Sequence, residues 1–294
     1  MVTSAVRILL TGSTGFVGSH ILSNLVKFNH FSVDAVSKSN QSLTTTMSNL
    51  RYLSVNYEQP EFLEILSKNK YDVLIHAGWR GLPEKSRALN QLNFDASQRL
   101  FESFVNSGGG CIVGLGSCLE YGVWQGNASE TDCGREIGQF GLIKKRIANV
   151  VSNFNVPYLW LRPFYLYGAN QHANSLLNLT ITNLNNQNHF WMKEPLKAND
   201  FVYVDDLGRL ISNLIDRNFW LGELNVGTSS LTTNIEFVNQ VRRELGRKEY
   251  VFTKRIPEGL SADLTKLHEW LPEFEFNLSN QGLKKYLNEI KSRF

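Results

Sequence analysis

Three glycines with a regular spacing, Gly12, Gly15 and Gly18, follow an apolar run near the start of the chain. Residues 6–10 are typical of a buried strand, and the apolar spacing after the glycines predicts a helix. Glycine permits a tight turn and a close approach of backbone to a ligand, and a helix N-terminus presents N–H groups to an anion. Because the glycines lie between a strand and a helix, they predict a cradle for a dinucleotide pyrophosphate, with an ordinary glycine turn as the alternative.

Ser37 and Lys38 follow a second apolar run, residues 31–36. In dinucleotide-binding folds the end of the second strand meets the adenosine ribose, where a carboxylate selects NAD by accepting a hydrogen bond from the 2′-hydroxyl. A hydroxyl and an ammonium group favour a 2′-phosphate instead, so these two residues predict NADP(H). The alternative is a solvated loop lysine, since Asp34 lies only three residues earlier.

A third group of residues that could bind a ligand lies at the end of the apolar run 71–77 and consists of His76, Ala77, Gly78, Trp79 and Arg80. Ligands of parallel sheets bind at the carboxyl ends of the strands, so we expect this group to face the same edge as the glycines. The aromatic ring and the guanidinium suit a base or a phosphate of the substrate. For His76 itself, a structural hydrogen-bonding role is preferred over catalysis.

Alternating apolar runs and amphipathic stretches must position these residues. Further strands are predicted at 50–55, 111–115 and 158–167, and long helices at 89–107 and 140–153. This alternation predicts an α/β fold with a doubly wound parallel sheet and right-handed crossovers. We expect a Rossmann domain and a smaller α+β C-terminal lobe, divided as 1–168 plus 201–227 and 169–200 plus 228–294.

Composition narrows the class of protein. The 294 residues are 42% hydrophobic and carry a net charge of +3 from 30 basic and 27 acidic side chains, which suits an anionic small substrate rather than nucleic acid. Cys111, Cys118 and Cys133 lack metal-type spacing, so we expect no metal and a reducing compartment. With no leader and no membrane-length apolar run, a cytoplasmic protein is expected.

Several motifs occur together in the order and spacing of one family. They are TGSTGFVG, the HAG at 76–78, Asn93, GSCLEYG, FGLIK, RPFYLYG, DFVYVDD and ELNVG. The chain thus resembles the extended short-chain dehydrogenase/reductases over nearly its whole length, and in particular the branch of nucleotide-diphosphate sugar 4-keto-reductases and epimerases. The resemblance implies a Rossmann fold, a nicotinamide cofactor and a nucleotide-diphosphate sugar as substrate.

The resemblance also implies the catalytic residues. In the family, a Ser hydrogen-bonds the reacting oxygen, a Tyr exchanges a proton with it, and a Lys four residues later lowers the Tyr pKa and holds the nicotinamide ribose. Ser117 and Lys144 match the serine and the lysine, but Phe140 stands at the tyrosine position. Three explanations are open: an engineered Tyr-to-Phe variant, which we favour because the neighbouring motifs are intact, a natural pseudoenzyme, or a substitute donor such as Tyr121 or Cys118.

The residues after Ser117 discriminate between reactions. Family dehydratases resemble Thr-Asp-Glu at positions 117–119, where this chain has Ser117, Cys118 and Leu119, and Glu120 is one position out of register. Enzymes that epimerise at C3 and C5 place a cysteine and a histidine differently from Cys118 and His172. What remains is simple reduction or 4-epimerisation, and Ser37 and Lys38 favour NADPH-dependent 4-keto reduction. The alternatives are an NAD-dependent 4-epimerase and a catalytically silent NADP-binding protein.

The resemblance assigns the remaining contacts. At the cofactor we expect the three glycines, Ser37, Lys38, residues 76–78 and Lys144. The resemblance adds Thr14, Phe16, Val17, Asn56, Tyr57, Asn93, Arg162 and Phe164. Expected at the substrate, with Trp79, Arg80 and Ser117, are Cys118, Leu119, Tyr165, Arg209 and Arg255. A homodimer built from the helices at 89–107 and 140–153 is also implied.

Overall fold

The computed structural model describes residues 5–38, 47–81, 86–186, 192–253 and 256–291. The strands are β1 (Val6–Thr11), β2 (Phe31–Ser37), β3 (Leu50–Ser54), β4 (Val73–His76), β5 (Cys111–Leu115), β6 (Gly126–Ala128), β7 (Tyr158–Pro163), β8 (Tyr165–Tyr167), β9 (Ala198–Tyr203), β10 (Gly222–Val226), β11 (Leu231–Thr233) and β12 (Leu260–Ala262). The helices are α1 (Phe16–Leu25), α2 (Pro60–Lys68), α3 (Arg87–Asn106), α4 (Gln139–Ser152), α5 (Leu176–Asn185), α6 (Val204–Asp216), α7 (Asn234–Glu244), α8 (Thr265–Trp270) and α9 (Ser279–Lys291).

The largest sheet of the described residues has seven strands in the order β10-β7-β5-β4-β1-β2-β3. The pairs β1 with β2, β1 with β4, β2 with β3, β4 with β5 and β5 with β7 are all parallel. Thr11 at the end of β1 is in register with Val36 on β2 and with His76 on β4. The sheet confirms the predicted doubly wound α/β class and brings the ends of β1, β2 and β4 to one edge.

The core explains why the strands are almost uniformly apolar. Ile8, Leu9 and Leu10 on β1 are fully buried, as expected for a parallel sheet covered on both faces. One cluster joins side chains of the strands with those of α2, α3 and α4, including Leu74, Ile112, Trp160, Phe62, Phe101, Phe104, Ile143 and Ile147. This packing fixes α4, which carries Phe140 and Lys144, against the sheet.

The chain forms two compact units. The first contains the described residues of Met1–Glu120, Ile137–Arg162 and Gly208–Leu224, and the second those of Tyr121–Glu136, Pro163–Leu207 and Asn225–Phe294. In the second unit, β8, β9 and β11 form one small sheet and β6 pairs with β12. Its core contains Tyr167, Phe201, Tyr203, Phe237 and Leu283.

Two stretches differ from the sequence prediction. The single strand expected at 158–167 is divided into β7 and β8, which lie in different sheets. Pro163 has no N–H to continue a ladder, and the N–H of Phe164 donates instead to Val226 O, 2.9 Å away. The aperiodic region 169–197 contains α5, which begins after Ser175, whose hydroxyl accepts from the Asn178 N–H as an N-cap.

Two kinds of feature are absent from the described residues. None of the helices there is both long enough and apolar enough to cross a membrane. Nor do His, Cys, Asp and Glu side chains in the same part of the chain form a group of three or more that could hold a metal ion.

Candidate active site

The glycine turn after β1 is required by backbone packing. Gly12 has a φ of +71°, and a Cβ on it would lie 2.7 Å from the carbonyl carbon of Ala77. A Cβ on Gly18, in the first turn of α1, would lie 2.1 Å from Gly12 O, and one on Gly15 would lie 3.2 Å from the same atom. Contacts below 3.0 Å are incompatible with a side chain, so Gly12 and Gly18 let the turn, β4 and α1 pack backbone against backbone.

A cleft of about 340 Å³ opens over this turn at the carboxyl edge of the sheet. Its lining comes from the ends of β1, β2, β3 and β4, and consists of Gly12, Thr14, Gly15, Val36, Ser37, Lys38, Val55, Tyr57, Ala77, Gly78, Trp79 and Arg80. Most of these were expected from the sequence to bind cofactor or substrate. The structure thus brings together residues that lie as far as 68 positions apart, from Gly12 to Arg80.

The cleft has the features that a nicotinamide dinucleotide needs. The backbone of the glycine turn has no Cβ in the way of a pyrophosphate, and α1 begins directly after Gly15, which has no side chain to cap it. The buried indole nitrogen of Trp79 has no hydrogen-bond partner among the described residues, so it has a donor to offer a bound molecule. The residues present therefore fit the cofactor.

Two predicted residues, Asn93 and His76, hydrogen-bond other groups next to the cleft. The carboxamide of Asn93 accepts from Arg80 N and donates to Arg80 O, both at 3.0 Å, and so fixes the backbone of Arg80. His76 is buried, with Nδ1 2.7 Å from Thr11 Oγ1 and Nε2 3.0 Å from Ser97 Oγ. Burial, followed by the charge of Lys144, lowers the pKa of His76 to about 3, so the ring is neutral and structural.

The end of β2 differs from the sequence expectation in its electrostatics. Ser37 Oγ lies 2.9 Å from Thr14 Oγ1, and Lys38 Nζ donates to Glu58 Oε1 over 3.2 Å. Arg80 Nε lies 3.1 Å from the same Glu58 oxygen. Sequence reasoning missed Glu58, although its place two residues after Asn56, just past the end of β3, was a usable signal.

The three predicted catalytic residues lie on two segments that contact each other at the start of α4. Lys144 Nζ donates to Leu115 O over 2.8 Å, two residues before Ser117, and a Cβ on Gly141 would lie 2.1 Å from Leu119 O. The start of α4 is therefore in direct contact with the segment that carries Ser117. The Ser117 hydroxyl accepts from the Leu119 N–H at 3.1 Å.

An aromatic pair surrounds the lysine. The Trp79 ring centroid lies 3.6 Å from Lys144 Nζ, and the Phe140 centroid lies 5.6 Å from it. The two rings meet edge to face with centroids 5.6 Å apart. Burial lowers the pKa of Lys144 to about 7, and the charge of Glu120 acts in the opposite direction. Lys144 therefore changes charge near neutral pH, beside a ring that carries no hydroxyl.

This buried lysine should make stability depend on pH. Its pKa in the folded chain, about 7, is below the ordinary value of 10.5, so the unfolded chain binds more protons between these pH values. The contribution of Lys144 to the free energy of unfolding therefore rises with pH across this window and is lost as the pH falls toward 7. We expect the free energy of unfolding of wild type minus that of Lys144→Met to rise with pH, by at most about 1.4 kcal/mol per unit.

Urea unfolding at several pH values from 7 to 10 measures that difference. Lys68→Met removes an exposed lysine of the same unit, whose side chain is 73% exposed, and should give a difference that is flat with pH. A flat difference for Lys144→Met as well would contradict the lowered pKa.

Behind the predicted serine lies a buried ion-pair network that the sequence did not reveal. The strand β5 ends at Leu115, as predicted, and residues Cys118–Tyr121 form a 3₁₀ turn. The turn points Glu120 inward, where it accepts from Ser117 N at 2.8 Å, from Trp160 Nε1 at 3.2 Å and from Arg162 Nε at 3.0 Å. Arg162, placed at the cofactor by resemblance, also pairs with Glu223.

The remaining predicted residues have varied surroundings. Cys118 is buried and Leu119 half-buried in the first unit, which also holds Arg209 on α6. Phe164 and Tyr165 belong to the second unit, as does Tyr121, whose hydroxyl donates to Asn225 Oδ1 over 2.7 Å. Phe16 and Val17 are half-buried on α1, Asn56 Oδ1 accepts from Glu58 N, and Arg255 lies outside the described residues.

Comparison with known proteins agrees with this geometry. Residues 8–227 match the model of the NAD dependent epimerase/dehydratase family. A putative UDP-glucose 4-epimerase of Methanocaldococcus jannaschii is 24% identical, over 97% of this chain and 98% of its own.

Solved structures resemble the fold over its whole length. The UDP-glucuronic acid 4-epimerase of Bacillus cereus in complex with NAD has a TM-score of 0.83 at 20% identity, covering 98% of this chain and 99% of that one. The dTDP-glucose 4,6-dehydratase of Bacillus anthracis in complex with NAD has a TM-score of 0.83 at 17% identity, covering 98% and 97%. With the glycine turn, the parallel sheet and a family match that spans most of its length, the chain belongs to the NAD-dependent epimerase/dehydratase family.

Proposed function

We propose that the chain holds a nicotinamide dinucleotide in the cleft of its first unit and exchanges hydride at the C4 carbon of a nucleotide-diphosphate sugar, as a 4-epimerase-type enzyme. The observation that carries the proposal is the convergence of the glycine turn, Trp79, Lys144 and the Ser117 segment at one sheet edge. The similar epimerases that act on UDP-sugars support C4 as the reacting carbon.

The residues have separate tasks in this proposal. A nicotinamide bound there would supply reversible hydride transfer to and from the sugar carbon. The glycine turn and the start of α1 hold the pyrophosphate, and Lys144 holds the nicotinamide ribose. The Ser117 hydroxyl hydrogen-bonds the reacting oxygen. No phenol stands at position 140 to carry its proton, so we expect turnover well below that of an enzyme with tyrosine there.

NADPH-dependent reduction of a 4-keto sugar is the second candidate. One observation favours it: β2 ends in the hydroxyl of Ser37 and not in a carboxylate, which removes the residue that usually accepts from the 2′-hydroxyl of NAD. We rank it second because Lys38 is already paired with Glu58, and because similar solved structures hold NAD.

The test has two stages. Calorimetric titration of the purified chain with NADH and NADPH measures cofactor binding. Incubation with NAD and UDP-glucose, UDP-glucuronic acid or UDP-N-acetylglucosamine, followed by proton NMR of the sugar, measures inversion at C4. We expect NADH to bind and the C4 epimer of one of these sugars to accumulate slowly. Reduction of a 4-keto sugar by NADPH, with no inversion of any sugar, would favour the second candidate.

A further inference from the structure

A carboxylate lies between two cations beside the cleft. Glu58 Oε1 is 3.2 Å from Lys38 Nζ and 3.1 Å from Arg80 Nε, and the Glu58 side chain is only 11% exposed. The backbone on both sides is restrained, because Asn56 accepts from Glu58 N and Asn93 fixes Arg80. The carboxylate is therefore held in place at this edge, and the two cations that meet it are 44% and 40% exposed.

This carboxylate changes which cofactor the edge can accept. Lys38 and Arg80 both line the cleft, and Lys38 directly follows the strand end that meets the adenosine ribose in dinucleotide folds. A 2′-phosphate adds about two negative charges at that ribose, whereas a 2′-hydroxyl adds none. With Glu58 in place, such a phosphate meets cations whose charge a nearby carboxylate already offsets, and it meets that carboxylate itself, which water screens poorly.

The neighbouring hydroxyl also has a partner within the protein. Ser37 Oγ, the other group that the sequence suggested for a 2′-phosphate, lies 2.9 Å from Thr14 Oγ1. Both groups expected to bind the phosphate therefore already have partners within the protein, and one of those partners is anionic.

We propose that Glu58 is a specificity residue, which makes the cleft select NAD(H) over NADP(H) by pairing Lys38 and Arg80 and repelling a 2′-phosphate. The inference rests on the proposed cofactor site and adds to it the residue that discriminates between the two cofactors. Its position after β3 differs from the end of β2, where an acidic selector is ordinarily found.

Calorimetric titrations of NADH and NADPH into wild type, Glu58→Gln and Glu61→Gln test the proposal. Glu61 is an exposed residue in the first turn of α2, so its variant makes the same change in net charge three positions away. In Glu58→Gln we expect the NADPH dissociation constant to fall by about tenfold or more. The NADH dissociation constant should change by less than about threefold. The double variant Lys38→Gln/Glu58→Gln should lose most of the increase in NADPH affinity that Glu58→Gln shows over wild type.

The outcomes separate this inference from the function on which it rests. Binding of both cofactors with the same NADPH-to-NADH ratio in wild type and Glu58→Gln would overturn the inference alone. An equal gain in Glu61→Gln would overturn it too, because the effect would then be one of net charge. If neither NADH nor NADPH binds any of these folded chains, the proposed function is wrong, and the inference with it.

Discussion

Replacing Phe140 with tyrosine should raise the rate of C4 hydride exchange by about 10²- to 10⁴-fold, the usual contribution of a positioned general acid or base. The new hydroxyl would extend from a ring whose centroid lies 5.6 Å from Lys144 Nζ, on the turn of α4 that contacts the Ser117 segment. The Phe140 ring is half-buried and not enclosed in the core. The measurement is turnover of the nucleotide sugar, by NMR, at saturating cofactor.

A control variant separates chemistry from packing. Phe140→Leu changes the contact with Trp79 but adds no hydroxyl, so it should bind NADH and give no gain in rate. If Phe140→Tyr binds NADH as wild type does and turns over no faster on any sugar tested, position 140 does not carry the proton. The family assignment of Ser117, position 140 and Lys144 as a catalytic set would then be wrong for this chain.

Replacing Glu120 with alanine should lower the free energy of unfolding by about 3–5 kcal/mol, as expected when one partner of a buried ion pair is removed. The side chain of Glu120 is fully buried and that of Arg162 is 4% exposed, so the guanidinium would lose its buried partner. Trp160 Nε1 and the Ser117 N–H would lose their acceptor as well. Burial raises the pKa of Glu120, and the charge of Arg162 opposes the rise.

Urea unfolding with a matched exposed glutamate provides the comparison. Glu64→Ala breaks an ion pair with Lys68 within one helix, and its side chain is 71% exposed, so the loss should be about 0.5 kcal/mol or less. Equal small losses in the two variants would show that the Glu120 network contributes no more than a surface pair. If folded Glu120→Ala still binds NADH, the role of Glu120 is to hold the Ser117 segment and not to contact the cofactor.

The sequence alone determined the parts of this protein that depend on local pattern. A buried strand, a glycine turn and a helix are each specified within about ten residues, because side-chain period and backbone sterics act over that range. The alternation of strands and helices then determined the parallel sheet, and the spacing of Phe140 and Lys144 on one helix determined that the two lie on adjacent turns.

Only the tertiary structure decided which charges meet. From the sequence, Lys38 is a candidate phosphate ligand. The pairing of β2 with β3 brings Glu58, twenty positions later, into contact with it. The surroundings of Glu120 have a related cause, since a 3₁₀ turn after β5 directs its carboxylate toward Arg162. Ion pairs between distant segments depend on strand order and on single turns. Neither feature produces a periodic pattern of residues, so a sequence does not show which charges will meet.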